Sequence, residues 1–375
     1  MPSKEKKARL IAFYLPQFHP IPENDEWWGK GFTEWTNVVK AKPLFRGHHQ
    51  PNLPADLGFY DLRVPEVREA QAQLAREHGI EGFCYWHYWF GNGKQLLERP
   101  LQEVVKTGKP EFPFCLAWAN HSWGGVWNMT PGMIQTYPGI NDYINHFNTI
   151  LPILKDTRYI KFKDKPIIVI YRPGGIPDPV EFTDLWRALA QKEGLNDIYF
   201  VGIEQLDWKP ESHGFDSLLP DVPNVYYTRL PYPYLNRTIF KFLKRIFKFM
   251  KKKLFHQPDI YSYSNFIKTA LSLRPDHNSF FPCIVPNWDN APRAGLKAVV
   301  LKDNTPQLFQ EYLESEIKAV SDRPWDEKII FIKSWNEWAE GNYLEPDLRF
   351  GRKYLEICKK EILGDIQEVL VQANE

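Results

Sequence analysis

Ile329-Ile330-Phe331-Ile332-Lys333-Ser334-Trp335-Asn336-Glu337-Trp338-Ala339-Glu340 is a short apolar run followed at once by rings and carboxylates. The four apolar residues predict a strand buried on both faces, and the cluster behind them predicts the loop at its C-terminal end. The same pairing recurs at 10–15, 82–87, 114–119, 166–171, 198–203 and 280–285, with a weaker run at 215–219. Helical spacing of apolar residues fills 65–78, 141–154, 180–193, 261–273 and 305–320, the first opening on a proline. Strand alternates with helix. Eight such units predict an α/β fold, a (β/α)8 TIM barrel with long βα loops, as one catalytic domain over 1–375. A doubly wound sheet competes, but no strand is followed by GxGxxG or a P-loop.

Composition narrows the function classes. With 43% hydrophobic and 25% charged residues in 375, the chain is neither disordered nor collagenous nor a disulfide-knotted peptide. The 47 Lys and Arg against 46 Asp and Glu leave a net charge of +1, which sets up no whole-chain field, so no nucleic acid is expected as a partner. The 15% aromatic content suits stacking on the apolar faces of sugars as well as a large core. Cys84, Cys115, Cys283 and Cys358 form no CxxC pair and read as reduced core thiols. The charged first ten residues and the short run LIAFYL do not fit a secretory signal, so a cytoplasmic location is expected. No run of about 18 apolar residues occurs, so no membrane-spanning helix is expected.

In a barrel the strand C-termini converge on one face, so the clusters predict one pocket of rings, amides and carboxylates. The candidates for substrate binding are His19, Glu34 and Trp35 after the first strand, and Tyr85 and His87 at the second. Trp118, Asn120, His121 and Trp123 come from the third, Tyr171 and Arg172 from the fourth, and Glu204 from the fifth. Asn287, Trp288 and Asp289 follow the seventh, and Trp335, Asn336 and Trp338 the eighth. Any one cluster is also readable as a packed loop. Glycosidic chemistry typically needs two carboxyls, one to donate a proton and one to attack or accept one. Glu337 and Glu340 stand three apart, on one side of the chain if the stretch turns helically. Trp335 and Trp338 beside them can desolvate one carboxyl and raise its pKa. His19, His49, His87 and His121 show no HxH or HExxH spacing, so no metal and no cofactor are expected.

Beyond these readings, WNEWAEGNYLEP at 335–346 resembles the NEWxEG…EP segment of glycoside hydrolase family 99, which comprises endo-α-mannosidases and endo-α-mannanases on (β/α)8 barrels. YLPQFHPIPEN at 14–24, with WWGKGFTEW at 27–35, resembles more specifically the bacterial WbsX-like branch, whose proteins are associated with lipopolysaccharide and capsule assembly. The resemblance runs from about 10 to 354. It implies a retaining glycoside hydrolase or transglycosylase acting on an oligo- or polysaccharide, a bacterial surface glycan or its lipid-linked precursor. It further implies that Glu337 takes the proton of the sugar's 2-hydroxyl, giving a 1,2-anhydro sugar, while Glu340 protonates the leaving oxygen. The loop 17–35 and an insertion at 223–260 depart from the hydrolases. Two alternatives stay open: a glycosyltransferase of lipopolysaccharide, O-antigen or capsule biosynthesis, although DxD and a Gly-rich nucleotide loop are absent, and a non-catalytic glycan-binding barrel.

Within the insertion, 237–255 (RTIFKFLKRIFKFMKKKLF) holds eight basic residues and no acid. At 100° per residue Phe242, Leu243, Ile246, Phe247, Phe249 and Met250 share one face, and Lys241, Lys244, Arg245, Lys248, Lys251 and Lys252 the other. This predicts a basic amphipathic helix. It fits either attachment to an anionic inner-membrane surface or packing on the barrel with a solvated basic face.

Overall fold

A computed structural model describes residues 6–123, 132–227, 229–230 and 257–364. The predicted basic helix at 237–255 lies outside the described residues. Eight parallel strands form the centre: β1 Arg9–Tyr14, β2 Ile80–Trp89, β3 Phe114–Trp118, β4 Lys165–Ile170, β5 Tyr199–Glu204, β6 Ser217–Pro220, β7 Cys283–Ile284 and β8 Ile329–Ile332. They neighbour one another in the order β7-β8-β1-β2-β3-β4-β5-β6. The remaining seam is joined by one bridge, where Leu218 N donates to Ser279 O at 2.7 Å and Phe281 N donates to Leu218 O at 3.0 Å. Most strand residues are buried because one face fills the barrel and the other lies under the helices.

Helices Pro65–Glu77, Ile140–Leu154, Pro179–Lys192, Tyr263–Leu273 and Pro306–Val320 follow the sequence periodicity within two residues at each end. Arg99–Thr107 and Lys353–Leu363 join them. The link from β5 to β6 departs from the alternation, with only a single 3-10 turn at Pro210–His213. Trp208 covers the sheet there instead. A Cβ on Gly202 of β5 would lie 2.5 Å from its ring, so only glycine lets the indole lie flat where a helix would otherwise pack.

Register explains which residues look inward. Phe13 pairs with Cys84 and Tyr14 with Tyr85; Tyr85 pairs with Leu116, His87 with Trp118, Trp118 with Ile170, and Ile170 with Gly202. Tyr14, Tyr85, His87, Trp118 and Glu204 therefore share the outer face, toward the helices, while Phe13, Trp86 and Tyr88 share the inner one. The contacts agree. Phe13 stacks on Trp86 at 4.9 Å inside, and Tyr14 donates to Gln71 of helix Pro65–Glu77 outside.

Candidate active site

Beyond β8 the Lys333–Ser334 peptide is cis, and Asn336–Glu337 pairs antiparallel with Asn342–Tyr343 around the 3-10 turn Trp338–Glu340. Gly341 closes this hairpin at φ 60°, where a Cβ would lie 2.9 Å from that of Asp289, so the loop after β7 can press against it. Asp289 N donates to Glu340 O at 2.6 Å. Asn336 accepts from Leu15 N at 2.7 Å and donates to Leu15 O at 3.0 Å, which pins the hairpin to the end of β1. The hairpin sends Glu337 and Glu340 into a hollow of about 530 Å³ at the strand C-termini.

Three carboxylates converge there on one guanidinium. Arg293, on the short helix Ala291–Ala294, donates through Nε to Glu34 at 2.7 Å, through Nη1 to Glu340 at 2.7 Å and through Nη2 to Glu337 at 2.9 Å. Burial, and then the neighbouring Glu340, push the Glu337 carboxyl up to about 7, against the pull of Arg293. Neither Arg293 nor Lys333 is sealed from solvent, and the partial desolvation that works against their charges is outweighed, for Arg293 chiefly by Glu34 and for Lys333 chiefly by Glu340. Lys333 Nζ donates to Val222 O at 3.2 Å and sits 5.1 Å from the centre of the Trp288 ring. Rings form the walls: Trp123 lies nearly parallel to Tyr88 at 5.2 Å, and Tyr171 meets Trp86 edge-on at 5.7 Å. His121, pushed down to about 4 by burial and by Arg172, stands beside Tyr171.

Of the candidate residues, Glu34, His121, Trp123, Tyr171, Glu337 and Glu340 line the hollow. The others lie elsewhere. Tyr85, His87 and Trp118 point outward; His87 meets His146 at 2.8 Å, and Trp118 Nε1 donates to Trp89 O at 2.9 Å. Asn120 ties its own loop to Arg172 through two 2.7 Å bonds, and the Arg172 guanidinium lies 5.2 Å over the Tyr171 ring. Glu204 accepts from Gln205 N at 3.3 Å. Asp289 is buried and accepts from His48 at 2.7 Å and Gln50 at 2.6 Å. Trp288 is buried beneath Lys333, and His19 is buried away from the hollow. Asn287 lines a second hollow of about 760 Å³ that shares no lining residue with the first.

Trp35, Trp335, Asn336 and Trp338 are packing or bracing groups. Trp35 Nε1 donates to Tyr60 O at 2.8 Å, and Trp335 packs on Phe83. Trp338 stacks on Tyr343 at 3.8 Å and donates to Glu345 at 2.6 Å. Trp338 thus serves Glu345 and not the expected pair: burial pushes the Glu345 carboxyl up to about 7, against the hydrogen bond that Trp338 donates. Glu345 also accepts from Tyr60 at 2.8 Å and Gln71 at 2.7 Å.

Arg293, Lys333, Trp86 and Tyr88 belong to the hollow but were not among the candidates. For Trp86 and Tyr88 the signal existed, since alternation along β2 puts them opposite Tyr85 and His87. Lys333 follows β8 with the inward parity of Phe331. Arg293 carried no local signal. Among the described residues, no cluster of three or more His, Cys, Asp or Glu is arranged to hold a metal ion.

A parallel barrel whose strand ends gather carboxyls and rings in one hollow is an architecture of carbohydrate-active proteins. Residues 10–358 match the family model described as Glycosyltransferase WbsX, and the chain belongs to that family. It is 35% identical over 369 residues to the uncharacterized protein WxcX of Xanthomonas campestris pv. campestris strain B100, covering 95% of this chain and 50% of that one. A second strain's WxcX is 36% identical over 362 residues, so the chain spans about half the length of the curated relatives it matches. Among solved structures, a glycoside hydrolase-like protein aligns with TM-score 0.57 at 15% identity over 96% of this chain and 95% of its own. The GH99 endo-alpha-mannosidase of Bacteroides thetaiotaomicron, in complex with BIS-TRIS-propane, aligns with TM-score 0.55 at 14% identity over 99% and 100%. At such identity these two likenesses establish the barrel fold.

Proposed function

We propose that this chain is a retaining glycosidase or transglycosylase acting on a bacterial surface polysaccharide or its lipid-linked precursor. The observation that carries the reading is the placement of Glu337 and Glu340 together on one ring-walled hollow at the strand C-termini. Glu337, with its carboxyl near 7, suits a base working at neutral pH. It takes the proton of the 2-hydroxyl as that oxygen attacks C1, and Glu340, which must first take up a proton from solvent, gives it to the departing glycosidic oxygen. In the second half Glu340 takes a proton from water or a sugar hydroxyl, that oxygen attacks C1, and the ring-opened O2 recovers its proton from Glu337. Trp123, Tyr88 and Tyr171 offer faces for the sugar.

Turnover of bacterial surface oligosaccharides by Glu337→Gln and Glu340→Gln variants tests the reading. Both are expected to lose turnover while keeping affinity for an imino-sugar; a variant working at the wild-type rate overturns the assignment, and a wild type that binds glycan without turnover favours a binding barrel. The family's description favours a second reading, transfer from an activated sugar donor. Calorimetric titration with nucleotide sugars separates the two, since a hydrolase needs no such ligand. The sequence at 237–255 adds the proposal of attachment to an anionic membrane surface. Its test is co-sedimentation with anionic liposomes, which replacing Lys244, Arg245, Lys248, Lys251 and Lys252 by Gln should abolish. Among the described residues no helix is long and apolar enough to cross a membrane.

A further inference from the structure

We propose that Arg293 is the positioning residue of this hollow: anchored by Glu34, its guanidinium sets the spacing and orientation of Glu337 and Glu340. The inference rests on the assignment of those two carboxyls and extends it to a group outside the bond-making steps. Three carboxylates around one cavity, Glu34 and Glu337 buried and Glu340 half-buried, repel unless a cation sits among them. A guanidinium offers N–H groups along separate edges of one rigid plane, and here Nε, Nη1 and Nη2 each serve a different carboxylate. A lysine, with one nitrogen on a flexible stem, cannot reproduce that plane.

Both ends of the Glu34–Arg293 pair are fixed. Glu34 is 1% exposed and opens helix Glu34–Lys40, whose Thr33 forms a capping box with Thr36. Glu34 N donates to Gln17 O at 3.0 Å. On the other side Ala291 N donates to Asp289 at 3.0 Å, and Val299 N donates to Asn290 at 2.8 Å, so the turn carrying Arg293 is tied at two points. The remaining ends of the guanidinium then act as a fixed template for the two carboxyls. The charged and titratable groups facing Glu337 are Glu34, Tyr88, Arg293, Lys333 and Glu340.

The test uses the full chain with 13C-labelled glutamate carboxyls, Glu337 being assigned by its loss in Glu337→Gln. Arg293→Gln should raise the Glu337 titration midpoint by about one pH unit or more, and lower kcat by about 100-fold with little change in KM. Arg293→Lys should restore most of the midpoint but not kcat, since it returns the charge without the plane. A midpoint unchanged in folded Arg293→Gln, or full activity in Arg293→Lys, overturns the proposal. Should Arg293→Gln not fold, Glu34→Gln decides: it is expected to lower both kcat and the midpoint, and wild-type values in it overturn the anchoring role. Wild-type turnover in Glu337→Gln instead defeats the carboxyl assignment, whatever Arg293 does.

Discussion

Glu337, in the hairpin, and Glu345, just beyond it, lie eight residues apart, both carboxyls stand near 7, and their surroundings differ in kind. Glu345 is sealed among Tyr60, Gln71 and Trp338, three neutral donors that leave it nothing to exchange with. Glu337 faces a cavity and shares a guanidinium with Glu340 and Glu34. A raised carboxyl pKa is thus common to a bracing group and to the proposed catalytic one. What separates them is access, together with a second carboxyl within reach.

The largest effect should come from exchanging the two in a mutational test. Glu337→Gln should cost at least about a thousandfold in kcat with little change in unfolding temperature, whereas Glu345→Gln should leave kcat within about tenfold. Equal losses of turnover would erase the distinction. Conversely, Glu345→Ala leaves three buried donors without a partner and should cost about 3 kcal/mol in urea unfolding, more than any substitution of Glu337.

Acidity sharpens the contrast. Both folded-state values lie above the ordinary carboxyl value of 4.5, so between about 4.5 and 7 the folded chain binds more protons than the unfolded one. This contribution to stability is complete below 4.5 and should be lost as pH rises through 7, by on the order of a few kcal/mol. Glu345→Gln should flatten that decline in denaturant titrations at stepped pH; an undiminished slope would place the effect elsewhere. The smallest effect belongs to the wall. Trp123→Ala should weaken oligosaccharide binding roughly tenfold by calorimetry, while Trp338→Phe, whose ring packs on Tyr343 and does not line the cavity, should leave affinity unchanged.

Much of the candidate site could be read from linear order because βα loops at one barrel face bring their clusters together by topology. Glu337, Glu340, Glu34, His121, Trp123 and Tyr171 reach the hollow that way. Tyr85, His87, Trp118 and Glu204 do not, although they sit in the same clusters, because a side chain's face follows from pairing register and a cluster's position does not state it. Alternation along β2 separates Tyr85 and His87 from Trp86 and Tyr88, and only the pairing register says which pair faces inward.

Sequence alone determined the alternation of buried strands and amphipathic helices, because both patterns are local, and the lack of a Gly-rich nucleotide loop favoured a barrel over a doubly wound sheet. It also determined where the carboxyl pair stands, directly behind the last such run. Tertiary structure alone decided that Arg293 joins Glu34 across 259 residues, and that Trp338 serves Glu345 and not the pair beside it. Hydrogen bonds and ion pairs between distant segments depend on three-dimensional proximity, which no local pattern encodes.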